Sequence, residues 1–368
     1  MLKGVPISEC TGKCKKWNPK DASGDEQFEY VDISSVDRSA KAITSVARIA
    51  CADAPSRARQ LIRARDILVS TVRPNLNGVA RVPSDLDGAT ASTGYCVLRP
   101  KPDLVDHDYL FHWVKTDSFV SEMTRRSTGA NYPAVTDRVV RESIIPLPPL
   151  PEQRRIAAIL DKADALRQKR RAAIAKLDQL LQSVFLEMFG DPVTNPRNAA
   201  VVSLGDLATV RTGRLDANAS SPDGKYPFFT CARKPLRIDS YSYDCECVLV
   251  AGNGDLNVKK FRGKFDAYQR TYIVESKDQD KLKNDYLCQF LDMYLSELRR
   301  LSIGGIIKYI KKGHLTDAPL VIPSYAEQKR FVEWVDAVNA TRAKLEQAHQ
   351  RTDELFSSAQ QRAFTGQL

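Results

Sequence analysis

One segment type occurs twice in this chain, and that repeat limits the possible folds more than any other feature. The run IPLPPLPEQRRIAAILDKADALRQKRRAAIAKLDQLLQSVFLEMFGD begins at Ile145, and IPSYAEQKRFVEWVDAVNATRAKLEQAHQRTDELFSSAQQRAFTGQL begins at Ile322. Aligning Glu152-Gln153-Arg154-Arg155 with Glu327-Gln328-Lys329-Arg330 sets an offset of 175 residues, which also pairs Arg167 with Arg342, Leu180 with Leu355 and Phe189 with Phe364. Two unrelated helices share some matches by chance, but not the Ile-Pro entry and the Glu-Gln-basic-basic start as well.

Both copies read as long helices. Pro148, Pro149 and Pro151 fix an extended approach, and Pro151 suits a first helical turn, where its missing N–H costs nothing. Glu152 puts negative charge at the positive end of the helix dipole. Ile156, Ile159, Ala163, Leu166, Ala173, Leu177, Leu180 and Val184 follow at coiled-coil spacing, flanked by Leu160, Ile174, Leu181 and Met188. Gly190-Asp191-Pro192 ends the first helix. The 39 residues from Pro151 to Phe189 span roughly 58 Å at the α-helical rise. Phe331, Trp334, Val335, Val338, Leu345, Ala348, Leu355 and Phe356 form the matching stripe in the second copy. Two long stripes in one register need a long partner, so the helices are expected to pair with each other, antiparallel. The alternative is that each caps its own domain.

Ahead of each helix lies a mixed segment, 1–148 and 191–322. Ile67–Val72, Tyr95–Leu98 and Cys247–Val250 read as buried strands, and Tyr109–Met123 and Tyr286–Leu301 as amphipathic helices. The expected fold is α+β: two α/β-mixed domains separated by two long helices (149–190 and 323–368), with a pseudo-twofold internal repeat. The halves share element order but little identity, as expected of two copies that recognise different things.

Charge narrows what is recognised. Lys and Arg number 55 against 45 for Asp and Glu, a formal net charge of +10. That favours a polyanionic partner, because neutralising phosphates drives nucleic-acid affinity; a soluble basic protein with no such partner has the same balance. Four stretches join cations to amide or aromatic side chains. Arg73, Asn75 and Asn77 sit in RPNLNG after a strand, where Arg suits guanine edges and Asn adenine edges. Pro and Asn-Gly also make that loop a simple turn. Arg125, Arg126, Asn131 and Tyr132 form a second group. Asn253, Asn257, Lys259, Lys260 and Arg262 form a third, whose glycines lack the G-x-G-x-x-G spacing of a dinucleotide loop. Lys308, Tyr309, Lys311 and Lys312 follow Gly304-Gly305, which lets backbone approach a phosphate, or they are a solvated basic edge. On the helices, Glu152, Gln153, Arg154, Glu327, Gln328 and Lys329 are candidate partner contacts. Arg170, on the apolar stripe, is placed to bond an acidic group on a partner.

Other classes find no motif. There is no P-loop, no Ser-His-Asp, zinc-hydrolase or deaminase signature, and Asn195-Pro196-Arg197 lacks the second Pro and the aromatic of an amino-methyltransferase motif. Eight cysteines and four histidines show no zinc spacing, so the thiols are expected reduced and no metal site is expected. No run approaches a membrane span, and Met1–Pro6 lacks a signal-peptide core, so the chain is expected in the cytoplasm.

The PLPPLPEQRRIAAIL entry, its helix and the ending EMFGDP resemble the specificity subunit of type I restriction–modification systems. IPSYAEQKR through RAFTGQL resembles that family's distal conserved region, departing at Ser324-Tyr325-Ala326, where the family often has prolines. The resemblance covers the whole chain. It implies two target-recognition domains reading a split double-stranded DNA site, with the helices as a ruler. A roughly 58 Å rod spans about one and a half turns of B-DNA at ~34–36 Å per turn. It further implies two methyltransferase subunits, which bind S-adenosylmethionine, and a motor/nuclease subunit; this chain would carry no cofactor and no catalysis. Two rivals remain open on the residues alone: a stand-alone helical interaction protein, and a divergent nuclease or methyltransferase.

Overall fold

The computed structural model describes residues 3–22 and 26–368. The chain divides into two units, one of residues 1–171 with 347–368 and the other of residues 172–346. Each long helix therefore contributes to both. The central helix runs Leu150–Phe189 and the distal helix Tyr325–Thr365.

In the first unit a four-stranded antiparallel sheet orders Val79–Arg81, Ile67–Ser70, Tyr95–Pro100 and Thr11–Gly12. A five-stranded sheet stands beside it in sequence, with Thr90–Ser92 parallel to Gln27–Val31. The apolar runs Ile67–Ser70 and Tyr95–Leu98 are buried throughout, as their continuous hydrophobicity requires. Helices His107–Val114 and Asp117–Arg125 follow. Sequence periodicity suggests one helix here, but Thr116 interrupts it. Its hydroxyl accepts from Phe119 N at 3.2 Å and starts a second helix as an N-cap.

The second unit has a six-stranded sheet ordered Ala208–Thr212, Thr271–Ser276, Tyr243–Ala251, Val258–Ala267, Tyr226–Phe229 and Leu236–Ile238. The expected helix over 286–301 is again two, Asn284–Met293 and Leu295–Leu301. Each unit closes with a two-stranded ribbon, Gly4–Pro6 with Ile144–Pro146 in the first and Val201–Ser203 with Pro319–Val321 in the second. The closing strands stand at the repeat offset seen in the helices.

Within each unit, taken alone, the two long helices run antiparallel. In the first, Arg167 Nε meets Asp353 at 2.6 Å, while Arg170 bonds Ala348 O and the Thr352 hydroxyl. In the second, Arg342 pairs with Asp178, and Phe331 lies 5.6 Å from both Phe185 and Phe189. Arg170 thus directs its Nη1 group to the distal helix within this chain. The buried face also differs from the expected stripe. Ile156, Leu160, Leu181, Val184 and Phe185 are buried, whereas Ile159, Leu166, Leu180, Trp334 and Leu355 are exposed. A stripe of period 3.5 drifts around a helix of 3.6 residues per turn, and each helix end also packs on its own globule. Gly190, at φ +85°, ends the central helix, and the Arg197 guanidinium donates to Glu187 O and Met188 O beyond it.

The first unit is fastened to the central helix by polar contacts as well. His112 is buried, with Nε2 3.0 Å from Asp161 Oδ1. Burial pulls its imidazole below the ordinary 6.5, and the Asp161 hydrogen bond opposes that only in part. The folded state therefore holds His112 neutral, while the unfolded chain takes up its proton at about 6.5. A depressed folded pKa gives stability that is present above the unfolded value and is lost as pH falls through the window below it. The protection of the His107–Val114 amides against hydrogen exchange, taken relative to the intrinsic rate at each pH, is expected to fall between pH 7 and pH 5, and His112→Gln should flatten that dependence. An unchanged slope in the variant would assign the acid sensitivity to other groups.

Candidate nucleic-acid interface

In the first unit the loop after Ile67–Ser70 contains a tight turn, Pro74–Leu76, flanked by Arg73 (φ 50°) and Asn77 (φ 45°) in the left-handed region. The segment after Asp117–Arg125 forms a small hairpin whose base is pinned by Thr128 N to Ala134 O at 3.0 Å and Ala134 N to Thr128 O at 2.9 Å. Gly129, at φ +102°, makes its turn, where a Cβ would lie 3.0 Å from Tyr132 O. The two loops join: Arg73 N donates to Pro133 O at 2.7 Å and Val135 N to Thr71 O at 2.9 Å. The Arg73 guanidinium consequently lies 4.6 Å above the Tyr132 ring, which is 70 % exposed.

The second unit builds the same device. The hairpin after Leu295–Leu301 is pinned by Ile303 N to Tyr309 O at 2.9 Å and Tyr309 N to Ile303 O at 2.8 Å, with Gly304 at φ +112°. Thr128, Gly129 and Ala134 correspond to Ile303, Gly304 and Tyr309 at the 175-residue offset of the helices. The loop after Tyr243–Ala251 joins it, Ile310 N donating to Gly252 O at 2.8 Å and Gly254 N to Lys308 O at 3.3 Å. An arginine covers a tyrosine here too, at other positions of the repeat: Arg270, in the turn before Thr271–Ser276, lies 5.4 Å over Tyr309 in the hairpin base. Sequence reasoning missed Arg270, because it lies in the short turn before the strand Thr271–Ser276, outside every basic run that the sequence singles out.

The structure thus brings the loop residues together in two groups and separates others from them. Arg73, Asn75, Arg125, Asn131 and Tyr132 are exposed in the first unit, and Lys308, Lys311 and Lys312 in the second; Arg262 is exposed as well but stands apart, opposite Glu246 along Val258–Ala267. These cations have no acidic partner among the described residues. Cations of this kind make phosphate contacts, while amide and guanidinium groups at loop tips can reach base edges.

Several expected readers are committed elsewhere. Asn257 is buried, its amide donating to Cys231 O (2.9 Å) and Asp255 O (2.7 Å) and its carbonyl accepting from Lys259. Lys259 is half-buried, and burial lowers its pKa. Lys260 bonds both Asp285 oxygens and lies 3.3 Å from Glu246; burial pulls its ammonium down, but those carboxylates outweigh it. Arg126 is taken by Glu122 (3.1 Å) and Glu142 (3.2 Å). Asn77 braces the loop, donating to Lys115 O at 3.4 Å and accepting from Lys41 Nζ at 2.6 Å. Asn253 bridges to Tyr309 through its backbone.

The helix-start residues divide in the same way. Gln153 and Gln328 are buried and face inward. Gln153 donates to Leu104 O and Pro148 O and accepts from Asp106 N; Gln328 donates to Lys281 O and Pro323 O and accepts from Lys283 N. They hold each unit to its helix and offer nothing to another protein. Glu327 caps its helix with Ser324, whose hydroxyl and N–H hold the carboxylate below its ordinary range. Glu152 pairs with Arg155 at 2.7 Å, and Arg154 and Lys329 remain exposed.

One cluster, Asp106, His107 and Asp108, brings ligand atoms close together. Its carboxylates are committed: Asp106 caps the helix by accepting from Asp108 N and Tyr109 N, and Asp108 pairs with Arg81. The eight cysteines are free thiols. Among the described residues no helix is long and apolar enough to cross a membrane.

The chain is similar to known proteins. The sequence profile of the type I restriction modification DNA specificity domain matches residues 62–176 and 196–355. The EcoDI specificity subunit of Escherichia coli is 39% identical over 177 residues, covering 47% of this chain and 39% of its own length. The HindI specificity subunit of Haemophilus influenzae is 26% identical, covering 54% of this chain and 45% of its own. The chain thus spans less than half the length of these two curated relatives. A structure solved in a study of complex assembly and conformational transition in the type I R-M system is 26% identical. It superposes with a TM-score of 0.62, covering 100% of this chain and 98% of the other. With the domain profile matched once on each side of the central helix's end, over most of its length, the chain belongs to the type I restriction modification DNA specificity family.

Proposed function

We propose that this chain is the DNA-recognition subunit of a type I restriction–modification complex, reading one half of a bipartite site with each unit and catalysing nothing itself. The observation that carries the reading is the duplicated pinned hairpin, matched at the 175-residue offset and joined to a second loop in each unit, with an arginine over a tyrosine at different positions in the two copies: Arg73 over Tyr132 and Arg270 over Tyr309. Two copies of one device with different side chains suit two different half-sites. The reading segments are 1–148 and 191–322, and the helical segments 149–190 and 323–368 carry two methyltransferase subunits, with Arg154 and Lys329 exposed toward them. Those subunits bring S-adenosylmethionine, and a motor/nuclease subunit completes the assembly, all in the cytoplasm. Family membership and the matched domain profile support this reading.

Adenine-methylation mapping of cells with and without the chain, its methyltransferase present, tests it. Loss of one bipartite motif on deletion is the expected result. If no motif disappears, a stand-alone interaction protein becomes the better account.

The two arginines then separate the half-sites. Arg73→Ala is expected to relax one half-site and Arg270→Ala the other, each by about 10- to 100-fold, the value of one base-reading contact of roughly 1–3 kcal/mol. Selection of bound sequences from a random library by the methyltransferase complex reads this directly. A uniform loss over all sequences would reassign both arginines to phosphate contacts.

A further inference from the structure

The two pinned hairpins share a frame but differ in chemistry at the tip. At the repeat offset, Asn131 and Tyr132 in the first unit stand where Ile306 and Ile307 stand in the second. Ile306 is fully exposed and Ile307 is 64 % exposed. Two adjacent β-branched apolar side chains held in water are unfavourable at about 0.8 kcal/mol per CH₂ that burial would recover. Nor do they come from a slack loop. The hairpin base is closed by two backbone hydrogen bonds, and Gly304 turns so tightly that a Cβ there would lie 2.7 Å from Ile307 O. The fold therefore presents these side chains outward.

Charge identifies what covers them. Lys308 follows directly, Arg270 lies over Tyr309 in the hairpin base, and Lys311 and Lys312 come next, all exposed or half-exposed. The nearby Asp255 is taken by Arg233 at 2.8 Å. An apolar tip ringed by cations matches a polyanion that carries apolar groups, and duplex DNA offers one such group on its base edges, the thymine C5-methyl in the major groove.

We infer that Ile306 and Ile307 read thymine methyl groups in the half-site recognised by the second unit, whereas Asn131 and Tyr132 read the other half-site through polar and aromatic contact. The inference rests on the DNA-recognition reading above. It adds a chemical identity for part of one half-site.

The test uses the chain assembled with its methyltransferase subunits and a duplex carrying the motif found by methylation mapping. Thymines are replaced one at a time by deoxyuridine, which removes only the methyl group. In the half-site whose reading depends on Arg270, one or two replacements should weaken binding about fourfold each, the equivalent of one buried methyl. Ile306→Ala or Ile307→Ala should bind the thymine duplex more weakly and lose that discrimination. Both residues lie on an exposed tip, so folding is spared. If every thymine tolerates replacement, or the penalty survives in both variants, the methyl-reading inference is wrong while the recognition role stands. If the complex does not prefer the motif over a scrambled duplex, the recognition role itself falls.

Discussion

Asp164→Asn is expected to destabilise the first unit by about 3–5 kcal/mol, the cost of leaving one partner of a buried ion pair alone. Lys115 Nζ lies 2.7 Å from Asp164 Oδ2, with the lysine side chain only 6 % exposed. Burial drives the Lys115 pKa down, and Asp164 is the main force holding its charge. Burial likewise pushes the Asp164 carboxyl up, but Lys115, with Arg167 behind it, outweighs it and keeps it below the ordinary carboxylate range. Without the carboxylate the ammonium would face the Phe111 ring at 4.5 Å and the Phe356 ring at 5.8 Å, which replace little of its lost hydration. Lys115→Met should be milder, because Asp164 keeps Arg167 at 3.3 Å, and the double change Lys115→Met with Asp164→Leu milder than Asp164→Asn alone. Urea unfolding of the three variants checks that order. A loss below about 1 kcal/mol for Asp164→Asn would mean that water screens the pair as it does at a surface. The consequence reaches the reading loop, since Lys115 O accepts from Asn77. Weaker reading by the Arg73 loop should accompany the loss.

The sequence makes the frame legible and hides most of the site, for a physical reason. Helix length, helix ends and the repeat follow from local period and from proline and glycine, so the bounds of Leu150–Phe189 and Tyr325–Thr365 differ from the expected 149–190 and 323–368 by one to three residues. Each reading group, however, is assembled from segments far apart in the chain, Arg73 and Tyr132 being 59 residues apart and Arg270 and Tyr309 39. Nothing near Arg73 announces Tyr132, and nothing near Arg270 announces Tyr309. The same blindness misplaces Asn257, Gln153 and Gln328. A polar residue in a charged or glycine-rich stretch reads as exposed, but carbonyl and amide groups brought in by the fold turn these three inward. Thr116 shows a local competition that periodicity misses, its hydroxyl making one amphipathic run into two helices. The exposed Ile159 and Leu166 mark the limit of stripe reading, because a wide stripe does not say which of its edges is covered.

Gln153→Ala should cost the first unit about 3 kcal/mol, and Gln328→Ala the second unit about the same. Each glutamine satisfies two carbonyls and one N–H at a site closed to water, and a buried group left without a partner costs roughly 1–3 kcal/mol. Only some of these losses are recovered by relaxation. Glu in place of Gln should be worse than Ala, because its charge would face Leu104 O and Pro148 O, or Lys281 O and Pro323 O, where Nε2 now donates. The two sites share no partner, so their effects should add in the double variant. Hydrogen exchange separates them: Gln153→Ala should speed exchange at His107–Val114 and leave Asn284–Met293 unchanged, and Gln328→Ala should do the reverse. These residues sit where the Glu-Gln start of each helix meets its own globule, so each substitution should blur one DNA half-site and spare the other. Equal loss of both half-sites from either substitution would contradict this, because it would mean that the glutamines serve the shared helices rather than the unit each is bonded to.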